Sequence, residues 1–176
     1  MPEAHVEAST TGSAILASLL LKLGLYGCLL FLICMFPQGT IYFQKRVLLL
    51  AAVGILYASG ATMFQQDLKR IIAYSSVAHM NAAVLGLFSL THSGIEGAFF
   101  IMLAHGIVSP ALFFCIGILS DRYHTRLIKH YSGLVQVMPM FTVFFVFFIL
   151  GNMSFPGTAN FIGEFLIFVG VFRDNT

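Results

Sequence analysis

The stretch Ser13-Ala14-Ile15-Leu16-Ala17-Ser18-Leu19-Leu20-Leu21-Lys22-Leu23-Gly24-Leu25-Tyr26-Gly27-Cys28-Leu29-Leu30-Phe31-Leu32-Ile33-Cys34-Met35-Phe36 decides what kind of chain this is. It is apolar almost throughout, and a membrane-crossing helix needs about 20 such residues. One residue breaks the pattern. Lys22 stands well inside the run, where a charged side chain costs about 2.5–3.5 kcal/mol on insertion scales.

Working outward, the same ruler predicts about five spans. The first covers residues 13–36 and stops at Pro37-Gln38-Gly39, a turn signal. The second covers residues 47–64, and the third starts after Asp67-Leu68-Lys69-Arg70 and reaches about Leu90. The fourth covers residues 95–119 and the fifth residues 138–172. The fifth is longer than one crossing needs and is interrupted at residues 151–158, which include Gly151, Pro156 and Gly157. Proline lacks a backbone N–H and glycine relaxes the helix, so this reads as a broken helix. A turn between two short elements is the alternative. Broken backbone at membrane depth persists only where protein or water satisfies it, and discontinuous helices are how many transporters build ion sites.

Composition agrees. Of 176 residues, 59% are hydrophobic and only 9% charged, whereas a soluble domain is about 25% charged. Mean hydropathy is +0.92. A net charge of +2 leaves no electrostatic footprint for nucleic acid. Cys28, Cys34 and Cys115 lie in apolar runs without CxxC spacing, so neither disulfides nor zinc are expected. The fold expected is all-α, a single membrane domain over residues 1–176, with residues 120–137 as a surface connection. The first residues lack the basic start of a signal peptide. No GxSxG, phosphate-binding loop or dinucleotide fingerprint is present. Gly54 and Gly60 lie inside a span, where small residues aid helix packing.

Loop charges set an orientation. With five spans, Lys69, Arg70, Arg122, Arg126 and Lys129 share one side, and Lys45, Arg46 and Arg173 the other. The positive-inside rule puts the first group in the cytoplasm or matrix.

Function is then expected in ionisable residues within the spans. Lys22 can lose its proton when desolvated, and so can pass one on. Snorkelling is the bland alternative, strained here because Lys22 is half a span from either end. Glu164 follows the helix break and shares a helix face with Asn160. His105 has Ser109 on its face and Gly106 and Pro110 nearby; an unperturbed histidine titrates near neutrality, which suits a relay. A hydrogen-bonded core histidine is the alternative. His79, on a span that also carries Ser75, Ser76 and Asn81, is either relay or glue; the serines read as interhelical glue. Asp67, Lys69 and Arg70 mark a span end, as a surface ion cluster or as a pair that orients the helix.

These residues bring a family into view. Ala4-His5-Val6-Glu7-Ala8, Leu20-Leu21-Lys22-Leu23-Gly24-Leu25-Tyr26-Gly27 and Asp67-Leu68-Lys69-Arg70-Ile71-Ile72-Ala73-Tyr74-Ser75-Ser76-Val77-Ala78-His79-Met80-Asn81 resemble the NADH dehydrogenase subunit 4 family. Ala104-His105-Gly106, Asp121-Arg122-Tyr123-His124-Thr125-Arg126 and Pro156-Gly157-Thr158-Ala159-Asn160-Phe161-Ile162-Gly163-Glu164-Phe165 extend the likeness in family order over nearly the whole chain. The wording of Ser75 to Asn81 looks mitochondrial. The resemblance implies an antiporter-like subunit in the membrane arm of respiratory complex I (NADH:ubiquinone oxidoreductase). Such subunits move protons, driven by quinone reduction elsewhere in the enzyme. It implies Lys22 as the central lysine, Glu164 as the acid of the discontinuous helix and His105 between them. Lys69 matches a usually basic position and, with His79, is counted among the expected proton-relay residues. It also implies no cofactor or metal on this chain, a place in the mitochondrial inner membrane, the N-terminal side in the matrix, and other complex I subunits as partners.

Two departures stand out. Ser9 replaces the family's usual proline after His-Val-Glu-Ala. The match also covers only the middle of the family's length, about helices eight to twelve of about fourteen. A split gene or a fragment is therefore expected, with separate chains carrying the rest. Two other readings share these features: a multisubunit cation/proton antiporter subunit, and a non-conducting structural element of the membrane arm.

Overall fold

A computed structural model describes residues Pro2 to Asp174. The described backbone is helical, apart from turns and one isolated bridge. A short α1 (Pro2–Glu7) leads into α2 (Thr10–Ile33), a continuous helix containing two wide π-turns, Leu16–Leu20 and Cys28–Ile33. Then come α3 (Pro37–Phe64), α4 (Leu68–Phe88) and α5 (His92–Tyr123). A connection with the 3-10 turn Ile128–His130 and a short α6 (Leu134–Val137) leads to α7 (Pro139–Asn152) and α8 (Ala159–Asp174).

By length and composition, α2 to α5 are each long and apolar enough to cross a membrane. The fifth expected span is the broken pair α7 and α8. The two halves scarcely touch each other and each packs on α5, so they do not form a side-by-side hairpin. Ser154 and Gly157 in the break have φ of +53° and +101°, values that stop a helix.

Two boundaries differ from the sequence reading. Pro37 opens α3 instead of closing a turn, because a proline in the first helical turn gives up an N–H that has no partner there anyway. The surface connection begins at His124, since α5 runs on through Ser120 to Tyr123. Pro110 does not interrupt α5.

The centre of the bundle is α5, which contacts α2, α4, α7 and α8. Glycines let α8 press onto it. A Cβ on Gly97 would lie 2.7 Å from the Gly163 carbonyl oxygen, and one on Gly170 would lie 2.7 Å from the Gly94 nitrogen. Small residues allow this backbone-to-backbone approach where lipid offers no hydrophobic drive. Gly54 likewise receives the Asn81 side chain, whereas Gly60 meets nothing within 4 Å. Much of α2 and α3 stays exposed, including Leu19, Phe31, Leu50, Leu56 and Phe64.

Two apolar clusters fill the interior. One holds Leu25, Met80, Leu87, Ala98, Ile101, Met102 and Ile167. The other holds Ala17, Ile72, Ala73, Leu112, Phe113 and Ile116. On α4 and α5 a gap in sequence separates the clusters, and polar residues occupy that gap on both helices.

The turn before α4, the connection after α5 and α1 meet at one end of the bundle. Asp67 bridges to Leu127, and Arg126 Nη1 donates to the Val6 carbonyl at 2.9 Å. The loops assigned to one side by the charge argument are thus joined.

Candidate functional site

The polar layer lies between the two apolar clusters. On α4 it consists of Ser76 and His79, between Ile72-Ala73 and Met80. On α5 it consists of His105 and Ser109, between Met102 and Leu112. On α2 it is Lys22, between Ala17 and Leu25. From the broken helix come Asn152, Asn160 and Glu164.

At one end, His79 Nδ1 lies 3.0 Å from Glu164 Oε1, and His79 Nε2 lies 2.8 Å from the Asn152 carbonyl oxygen. This geometry fixes a proton count. A carbonyl only accepts, so Nε2 carries a hydrogen. A neutral imidazole then has a bare Nδ1, which cannot face a bare carboxylate. One further proton therefore lies between Nδ1 and Oε1, giving either imidazolium with carboxylate or imidazole with carboxylic acid.

The break supplies these contacts because helix ends leave carbonyls unpaired. His79 takes the carbonyl of Asn152, and Asn160 Nδ2 donates to that of Gly151 at 2.8 Å. Asn152 Nδ2 donates to Ser75 Oγ at 3.2 Å, and the Ser76 and Ser109 hydroxyls meet at 3.3 Å. Both serines thus link helices.

His105 is fully buried, and its ring centroid is 5.2 Å from that of His79. Neither ring nitrogen meets a hydrogen-bond partner among the described residues. Such a group is the exception in a folded interior and points to a role or to water. One residue on, Gly106 faces Lys22: a Cβ there would sit 3.8 Å from Lys22 Cε. Pro110 has no N–H to offer the Gly106 carbonyl, so that helical hydrogen bond is missing one turn from His105. The Lys22 ammonium donates to the Ala17 carbonyl in the first π-turn. π-turns recur at functional sites because they re-aim backbone groups.

Lys22, His105, His79 and Glu164 thus form a row across three helices and the broken one. A cavity of about 520 Å³ opens beside Lys22 and Gly106. Another, of about 350 Å³, opens beside His79 and Glu164. Each member is titratable; His105 neighbours His79, His79 neighbours Glu164, and Lys22 faces the residue after His105.

Lys69 stands apart. It is 3% exposed, and its ammonium donates to the Ala8 carbonyl at 2.6 Å and approaches that of Val6 at 3.5 Å. Arg70 pairs with Asp67 at 3.5 Å on the surface, a contact of little stabilising value. Sequence reasoning missed His5, which is as buried as His105. It also missed both π-turns, for which the apolar run carries no signal.

Similarity to known proteins matches this architecture. The sequence model of the family described as "NADH:quinone oxidoreductase/Mrp antiporter, TM" matches residues 1–176, and the chain belongs to that family. It is 58% identical over its whole length to NADH-ubiquinone oxidoreductase chain 4 of Marchantia polymorpha, covering 36% of that protein. It is 57% identical to the same chain of Triticum aestivum, again covering 36%. The chain therefore spans about a third of the length of these relatives. Among solved structures, respiratory complex I from Thermus thermophilus with bound NADH contains a chain that superposes with a TM-score of 0.83 at 32% identity. That match covers 86% of this chain and 32% of the other.

Proposed function

We propose that this chain is the central part of a subunit-4-type membrane subunit of NADH:ubiquinone oxidoreductase. In this reading it relays protons along Lys22, His105, His79 and Glu164, coupled to quinone reduction elsewhere in the complex. The observation that carries it is the row itself, with one shared proton between His79 and Glu164 and the buried His105 imidazole one residue from Gly106, which faces Lys22. A lone buried histidine is ordinarily a packed core residue. Four titratable groups in sequence between two apolar layers are costly without a use.

The reading makes the chain a non-redox part of a proton-translocating enzyme and gives it no cofactor of its own. The high identity to chain 4 proteins supports complex I over a separate cation/proton antiporter. Its place is the inner mitochondrial membrane, with the α1 end toward the matrix. Its partners are the other membrane-arm subunits and separate chains carrying the remaining length of the relatives.

The test replaces Lys22 with Met in the assembled complex and measures protons moved per quinone reduced. A large loss with normal assembly is expected. Unchanged pumping would refute the relay.

A further inference from the structure

We propose that His5 is a further proton-carrying residue, standing between the α1 end of the bundle and Lys22, with Lys69 and Arg126 holding it in place. This rests on the relay reading above and extends it to a residue outside the row.

His5 is 1% exposed, and neither ring nitrogen meets a partner among the described residues. Its ring lies flat on Phe113, with centroids 5.1 Å apart and planes 10° apart. Stacking covers the face and leaves both nitrogens at the ring edge, free to accept and donate.

The surroundings connect it to Lys22. The Ser13 hydroxyl, itself buried, donates to the His5 carbonyl at 2.8 Å. Four residues on, one turn along the same face, Ala17 offers the carbonyl that holds the Lys22 ammonium. Lys22 thus reaches back along α2 toward the turn that touches His5. Helical side chains lean this way by default.

The position is built from the other side as well. Lys69 from α4 binds the carbonyls of Ala8 and Val6, and Arg126 from the connection binds that of Val6. Two cations from distant parts of the chain converge on the end of the short helix carrying His5. Burial first, then the nearby charge of Lys69 and of Lys22, hold its imidazole below the usual histidine range. The charged side chains acting on it are those of Lys69 and Lys22, both cations, so the ring rests neutral.

A neutral ring with two free edges can pass protons singly. One nitrogen takes a proton from the α1 side, forming imidazolium. The other nitrogen gives its proton to an unprotonated Lys22 amine, directly or through a water. The ring is again neutral, in its other tautomer, and Lys22 is an ammonium. Rotation of the ring or the reverse transfer resets it.

The experiment uses the intact membrane complex in sealed vesicles, with His5→Ala, His5→Gln and Lys22→Met variants. Protons moved per quinone reduced are measured with and without added imidazoles of graded basicity. Both His5 variants are expected to slow proton transport about a hundredfold. Imidazoles should restore it in His5→Ala, at rates that follow their basicity. Wild-type transport in His5→Gln would overturn the proposal. So would rescue independent of basicity, which marks space filling, or failure of both His5 variants to assemble, which marks packing alone. If Lys22→Met also transports normally, the relay reading itself falls. If only the His5 variants do, the row stands without this extension.

Discussion

Replacing Glu164 with Gln separates proton exchange from structure at the broken helix. The Gln amide can donate to a neutral His79 Nδ1 across the same 3.0 Å gap, while Nε2 keeps the Asn152 carbonyl at 2.8 Å. What is lost is charge assistance. A charged hydrogen bond contributes about 1.5–3 kcal/mol and a neutral one about 1 kcal/mol, so the cost is about 1 kcal/mol. The side chains are 14% and 26% exposed, and partial solvent contact lowers that figure further. Such a loss is too small to prevent folding. Yet the amide cannot give up or take a proton in the working range. Glu164→Gln is therefore expected to assemble to near wild-type level on native gels and to lose most proton transport in a dye-quench assay on vesicles. Glu164→Leu, which leaves Nδ1 facing an apolar group, should lower assembly as well. Full transport by the Gln variant would refute the role of the shared proton. Poorer assembly for Gln than for Leu would refute the hydrogen-bond argument.

Other outcomes follow from the packing. Gly97→Val places carbon against the Gly163 carbonyl and the Ile167 nitrogen, 2.7 and 2.8 Å from an ideal Cβ; about 1–3 kcal/mol of overpacking should appear as a lower melting temperature of the complex. Ser76→Ala removes one interhelical contact and should cost only about 0.6 kcal/mol, a melting shift near the limit of measurement. Asn160→Ala leaves the Gly151 carbonyl with only the Ser154 N–H at 3.3 Å, at a cost of about 0.5–1.5 kcal/mol, and should raise hydrogen exchange across residues 151–158. His5 is held below its ordinary pKa by burial and by Lys69, so its unfolded form binds the proton more readily. Docking of α1 is therefore complete above about pH 6.5 and weakens as pH falls below it. Protease cleavage near α1 should rise with acid in wild type and not in His5→Gln.

The spans were legible because a helix in lipid must be apolar along its length, and the interruption at Gly151 to Thr158 was legible because glycine and proline act locally. Boundaries were less so. Pro37 carries the same letter whether it closes a turn or opens a helix, and only its neighbours' backbone decides. Lys22, His105 and Glu164 stood out as polar residues in apolar runs. Their order along the row did not, since His79 and Glu164 are 85 residues apart in sequence. His5 escaped notice because α1 is short and polar, so nothing local predicts burial. Lys69 looked like a span-end charge; what fixes it is a pair of carbonyls more than 60 residues away.

The contact of His79 with the Asn152 carbonyl has an electrical consequence. The histidine and Glu164 together sum to zero charge in either arrangement of their shared proton. A proton that hops between them leaves no net charge behind in the low-dielectric layer. A membrane voltage acts on charge displaced along the field, so it weighs on the steps that bring a proton to the pair or take one from it. The Glu164 end works as a neutral store, one that can hold a proton ready without paying the self-energy of an isolated ion.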